Sequence, residues 1–248
     1  MMLLTIGIRR GIRASCGVLA LSLAAGTAQA DSNDMQWLGI AYLWAADIEL
    51  DARDRTADIA FSDTVENLEM GFQGHVEAQA EDLGGFVDVV YMGVGSNEVR
   101  QGIRVNADID LTAMDLAFVW SPDPEPFTGI EVFGGLRYVD QEVDLVIDPE
   151  PPGPPVLQTG VDKSYYDLLV GARYAAPINE QWRLVFSADL SGGDTEGTWS
   201  VAGYGVYRTG PHRFYAGYRH LEMDLKGAVG ETFTETFSGP AIAYGFAF

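Results

Sequence analysis

From residue 36 to the C-terminus, apolar residues recur at every second position in ten segments, and clusters of Gly, Pro, Asn and Asp interrupt them every ten to twenty residues. A period of two belongs to strands with two unlike faces, and it excludes a coiled coil or a disordered tail. The segments run 36–50, 70–81, 85–95, 103–120, 128–147, 163–176, 182–191, 196–208, 213–226 and 231–248. Short connections at 81–84, 121–126, 177–181 and 209–212 alternate with generally longer ones at 51–69, 96–102, 148–162, 192–195 and 227–230. This predicts an all-β fold, a closed antiparallel up-and-down barrel of about ten strands. Eight or twelve are the alternatives if 36–50 or 51–69 is counted differently.

The alternation is cleanest in two segments. In 163–176 one face reads Tyr166, Leu168, Val170, Ala172, Tyr174 and the other Lys163, Asp167, Gly171, Arg173. In 182–190, Trp182, Leu184, Phe186, Ala188 and Leu190 oppose Arg183, Val185, Ser187 and Asp189. Period two does not by itself say which face is outward, because a soluble ligand-binding barrel carries the same alternation with its faces exchanged. Aromatic residues at the strand ends favour lipid outside, since Tyr and Trp settle at both membrane interfaces. In 103–120 the polar residues Arg104, Asn106, Asp108 and Asp110 share a face while Asp115 has the opposite parity. The expectation there is a bulge near Thr112–Met114 or a strand leaving the membrane.

Residues 1–30 contain no acid, three arginines (Arg9, Arg10, Arg13), an apolar run over 17–26 and small residues at Ala28 and Ala30. That order predicts a secretory signal peptide cut before Asp31, leaving 31–248 as the barrel domain. Cys16, the only cysteine, would leave with it, so no disulfide could support the remainder. The chain carries 36 acidic against 15 basic residues, a net charge of −21, which argues against nucleic acid as a partner.

The last segment ends with Ile242, Tyr244, Phe246 and Phe248 on one face and only Ala or Gly on the other. This resembles the terminal signature of outer-membrane β-barrel proteins, which their assembly machinery reads. Gly135-Leu-Arg-Tyr138, Gly171-Ala-Arg-Tyr174 and Gly217-Tyr-Arg-His220 share a G-x-R-[YH] core. With Phe61–Leu68, Gly71–Ala78 and Ser238–Pro240, this vocabulary resembles that of small, mostly uncharacterised Gram-negative outer-membrane barrels, porin-like or OmpW-like. The resemblance spans the mature chain and implies a transmembrane barrel in the outer membrane, in contact with its lipid and lipopolysaccharide. It carries over no catalytic residues and no cofactor.

By parity, His75, Glu77, Asp88, Glu131, Arg137, Asp167, Arg173, Arg183, Asp189 and Arg219 form a lumen set of both signs. Such charges pair to plug a small barrel or ring a narrow polar pore. The glycines beside the arginines leave room for long side chains. His212 reads as a solvated turn residue, and His220 as a residue near the lipid or interface end of its strand. His75 and Glu77 supply the rival reading, an outer-membrane hydrolase or acyltransferase using nearby acids, although no G-x-S-x-G is present. A third reading is a soluble periplasmic barrel holding an apolar ligand. No metal-ligand spacing is found. Asp63-Thr-Val-Glu66 has the form of a helix-capping box, and Asp148–Pro155 that of a stiff proline-rich loop.

Overall fold

The computed structural model describes residues 35–52, 55–59, 68–100, 103–123, 125–149, 157–226 and 232–248. Among these residues twelve strands form one antiparallel sheet: β1 (Gln36–Trp44), β2 (Asp47–Ala52), β3 (Arg55–Ile59), β4 (Leu68–Ala80), β5 (Leu83–Arg100), β6 (Ile103–Trp120), β7 (Gly129–Pro149), β8 (Leu157–Pro177), β9 (Trp182–Gly193), β10 (Gly197–Thr209), β11 (His212–Lys226) and β12 (Thr232–Ala247). β1 pairs with both β4 and β12, so ten strands, β1 and β4 to β12, close a barrel. Closure leaves no free edge within the ring. The segment 36–50 is not one strand. It breaks at Ala45–Ala46, after which β2 continues along β12 and β3 folds back on β2 outside the ring.

Both ends of the ring meet on one side, where the Trp37 N–H donates to the Phe248 carbonyl at 2.8 Å and the Phe248 N–H returns to Trp37 O at 2.9 Å. This side, with the turns at 81–82, 121–128, 178–181 and 210–211, is the near end. The opposite side is the far end.

Several expected long connections are paired strand. β5 and β6 stay in register from Leu83↔Trp120 to Arg100↔Ile103, and β7 and β8 from Gly129↔Ala175 to Ile147↔Leu157. The connection at 192–195 is also tight, only 194–196 lying between β9 and β10. The ladder continues because every backbone N–H and C=O still needs a partner, even where no lipid selects a face. β6 has no bulge at Thr112–Met114, as both of its pairings run without a register shift. The one shift in the β4–β5 ladder falls between Leu68 and Met70. The capping box at 63–66, the proline-rich residues 150–155 and the predicted signal peptide lie outside the described residues.

Outward residues form a belt over the near half. Phe118, Leu136, Leu168, Val170, Phe186, Leu190 and Ile242 are all exposed, Phe118 to 83% and Leu168 to 72%. Aromatic residues bound it: Trp37, Trp120, Trp182, Phe214 and Phe248 at the near end, Tyr166 and Tyr218 towards the far end. In water such a surface would drive aggregation; in a bilayer it is the solvated surface. Above the belt the same outward parity carries Asp110, Asp140, Glu142, Asp162 and Ser164.

Candidate functional site

The interior is stacked in layers. At the near end Phe127, in the connection between β6 and β7, is buried, and its φ of 59° is unusual for a bulky residue. Three contacts hold it. Its N–H donates to Gln79 Oε1 at 2.8 Å, its carbonyl accepts from Arg183 Nη1 at 2.7 Å, and the Arg213 guanidinium lies 5.9 Å from its ring centre.

Above this floor a chain of polar contacts crosses the barrel. Gln79 Nε2 donates to Glu77 and Glu131, both at 2.7 Å. Arg173 bridges the same carboxylates, with Nη2 2.7 Å from Glu77 Oε1 and Nε 2.5 Å from Glu131 Oε2. His75 continues the chain, Nε2 facing Glu77 Oε2 at 3.1 Å and Nδ1 facing Asp88 Oδ2 at 3.2 Å. Tyr42 donates to Asp88 at 2.8 Å and accepts from Arg219 Nη1 at 3.1 Å. Both imidazole nitrogens of His75 face carboxylate oxygens, an arrangement that suits a ring donating from both nitrogens. Three carboxylates, Glu77, Glu131 and Asp88, then balance Arg173, Arg219 and His75. Glu77 and Glu131 have 0% exposure, and charges so deeply buried persist only when paired.

A second cluster centres on Arg137. Nε and Nη2 each donate to Asp115 at 2.8 Å, a bidentate fork, while Nη2 also lies 2.9 Å from Asp189 and Nη1 donates to Thr198 at 2.7 Å. Ser200 donates to Asp189. Asp167 is not part of an ion pair with this group. It accepts from Ser191 and from the Thr195 backbone and hydroxyl, fastening the turn between β9 and β10. Arg183 also stands apart, on the near-end turn.

Between the two clusters lies a cavity of about 170 Å³ lined in part by Tyr42, His75, Asp88, Asp115, Arg173 and Arg219. That is room for on the order of five water molecules. Over it sits hydrocarbon: Ala46, Ile48, Leu111, Val139, Tyr165, Leu221, Met223, Leu225 and Phe237 form one buried cluster, packed by Trp44, Met92 and Phe233. Each fully buried side chain of this kind stabilises by about 1.5–3 kcal/mol.

All ten lumen residues read from parity point inward. Parity alone missed Asp115, Gln79 and Tyr42, although Gln79 follows Glu77 at the next inward position. The glycines of the G-x-R-[YH] strands do not make space for arginine. A Cβ on Gly171 would come within 2.3 Å of the Phe133 ring, and one on Gly217 within 2.0 Å of the Gly203 carbonyl and 2.7 Å of the Tyr204 ring, so neighbouring strands occupy that space. Ile242, Tyr244, Phe246 and Phe248 face outward, and Phe248 stacks on Trp37 with centroids 6.4 Å apart. His212 is not simply solvated: its Nδ1 lies 2.8 Å from Tyr244 Oη and its ring meets Phe246. His220 packs on Trp199 at 4.5 Å.

A closed ten-stranded ring with an apolar belt outside and ion pairs inside defines a transmembrane β-barrel. No family model matches the chain, and no curated protein matches it. Among solved structures it is similar to outer membrane protease OmpT from Escherichia coli, at 10% identity over 88% of this chain and 98% of that one, with a TM-score of 0.47. It is similar also to Ail, the attachment invasion locus protein of Yersinia pestis (9% identity, 86% and 98% covered, TM-score 0.40), and to Neisserial surface protein A (12%, 85% and 97%, TM-score 0.34). Likeness at this level extends to the barrel fold alone.

Proposed function

We propose that the chain is an integral outer-membrane β-barrel protein with a closed interior, structural or at most narrowly porin-like, and not an enzyme. The observation that carries this reading is the stacking of three interior layers: the Phe127 floor, the ion pairs of Arg173 and Arg137, and the apolar cluster around Met223. An ion entering such a barrel would have to break buried salt bridges and then cross hydrocarbon, both costly steps. The belt supports contact with membrane lipid. The acids directly above it suit lipopolysaccharide held through divalent cations, and the outward stripe ending at Phe248 suits recognition by barrel-assembly machinery. The G-x-R-[YH] strands support a porin-like or OmpW-like affiliation. His75 has a carboxylate on each nitrogen, which leaves it no lone pair with which to act as a base.

Planar-bilayer recording of the purified barrel tests this, after outer-membrane fractionation and a boiled-versus-unboiled gel shift. The expected record is a silent membrane and a heat-modifiable band. Discrete channel openings, lost in a variant that fills the cavity such as Ala202→Phe, would overturn the closed interior in favour of a pore.

A further inference from the structure

Three arginines at the near end are left over from the ion-pair network. Arg208 and Arg213 are direct cross-strand partners in the β10–β11 ladder. Arg183 lies opposite Val206 on β9, one inward position from Arg208, and the Arg208 N–H donates to Gln181 O at 2.8 Å. All three have inward parity. Directly opposed residues have Cβ atoms about 5 Å apart and diagonal ones about 7–8 Å apart, so three guanidiniums share one corner of the mouth.

Like charges at that separation repel, and the described residues supply little to offset them. Arg183 Nη1 is engaged by the Phe127 carbonyl, and the Arg213 guanidinium rests near the Phe127 ring. The acid beside them is Glu125, whose carboxylate is 3.9 Å from Arg183 and 65% exposed. Nε of Arg208 and Nε of Arg213 are buried without a hydrogen-bond partner, and Arg213 as a whole is 8% exposed. The large majority of buried side-chain polar atoms in proteins have a hydrogen-bond partner. This occurs in a chain with only 15 basic residues against 36 acidic ones, so a cationic corner is not a by-product of composition.

We propose that Arg183, Arg208 and Arg213 form an oxyanion site at the near mouth of the barrel, and that its ligand is a phosphate group. Three guanidiniums against one carboxylate leave about two positive charges, the complement of a phosphate carrying about −1.5 to −2. Guanidinium forks match phosphate oxygens bidentately, and the two orphaned Nε–H groups are the donors such an ion would use. The Phe127 turn holds Arg183 and Arg213 in place before the ion arrives. The phosphate can come from the free ion or from a phosphomonoester, and the site's chemistry is the same for both.

The test is thermal unfolding of the full chain, purified in detergent, titrated with inorganic phosphate, glycerol 3-phosphate, acetate or chloride at fixed ionic strength. Inorganic phosphate should raise the midpoint saturably while chloride and acetate do not. A matching rise with glycerol 3-phosphate assigns the site to phosphomonoesters, and its absence to the free ion. Arg208→Gln should bind phosphate about ten- to a hundredfold more weakly, and Arg208→Lys should fall between it and wild type. In chloride alone Arg208→Gln should unfold on the order of 2–4 °C higher than wild type, because it removes a like-charge contact. Equal responses to phosphate and chloride in the wild type, or an unchanged phosphate response in Arg208→Gln, would overturn the proposal.

Discussion

β11 shows within one strand how the lower and upper halves of the barrel differ. Near the termini its inward residues are Arg213 and Arg219 while Phe214 and Tyr218 face out; further along, its inward residues are Leu221, Met223 and Leu225 while Glu222 and Asp224 face out. The backbone parity never changes, but the polarity of each face reverses. Below, lipid takes the apolar side chains and the lumen takes the charges. Above, water surrounds the wall and hydrocarbon returns to the centre, as in a soluble barrel. The molecule is therefore two barrels of opposite polarity sharing one hydrogen-bond ladder.

The strongest challenge to this division is Arg137→Ala. It strands Asp115 and Asp189 inside the lower half, and should cost about 3–5 kcal/mol in denaturant unfolding of the detergent-solubilised barrel. A cost near zero would mean that the lower interior is wet and its pairing incidental. Met223→Ala makes the matching cut above, removing a side chain with 0% exposure, for a loss of about 3 kcal/mol within the 2–5 range of such deletions. Leu168→Arg, on the outward face of the belt, should cost about 2–4 kcal/mol in lipid vesicles. Glu222→Gln, outward above the belt, should stay within about 0.5 kcal/mol, so equal costs at these two outward positions would erase the boundary.

Glu235 sharpens the comparison through pH. It lies above the belt, buried beside Gln141, which donates to one of its oxygens; the other oxygen and Gln141 Oε1 have no partner. Burial pushes its carboxyl up from the usual 4.5 to about 7, against a smaller downward pull from the Gln141 hydrogen bond. The folded state thus holds a proton that the unfolded chain releases between pH 4.5 and 7, and stability should fall as pH rises through that window and level off above it. Glu235→Gln should flatten this slope and gain about 1–3 kcal/mol at pH 8 with little change at pH 4. A wild-type stability that is flat from pH 4.5 to 7 would contradict the burial of this carboxyl.

The reversal also explains which parts of the fold were legible. β8 and β9 could be read because Leu168, Val170 and Phe186 against Arg173 and Asp189 carry the full contrast of lipid and lumen. β6 could not. Asp110 faces out above the belt and Asp115 faces in below it, so the polar residues change parity where the surroundings change, which imitates a bulge under a single polarity rule. The arginine set was legible because a charge at inward parity within the belt has only the lumen to occupy. Its partners Gln79 and Tyr42 were not, since neutral polar residues satisfy either face. Arg208 and Arg213 had the right parity throughout, but no spacing marks two arginines as neighbours until β10 and β11 are paired.

The seam between β1 and β12 bears on the timing of folding. Leu38 pairs with Ala247, and every hydrogen bond along that seam joins residues about 200 positions apart in sequence. β1 must therefore wait, unpaired on that side, for β12. β12 also receives β2 on its upper part, so its arrival closes the ring and docks the outer hairpin together. Truncation by even one strand at the C-terminus should leave an open sheet with two exposed edges rather than a smaller barrel.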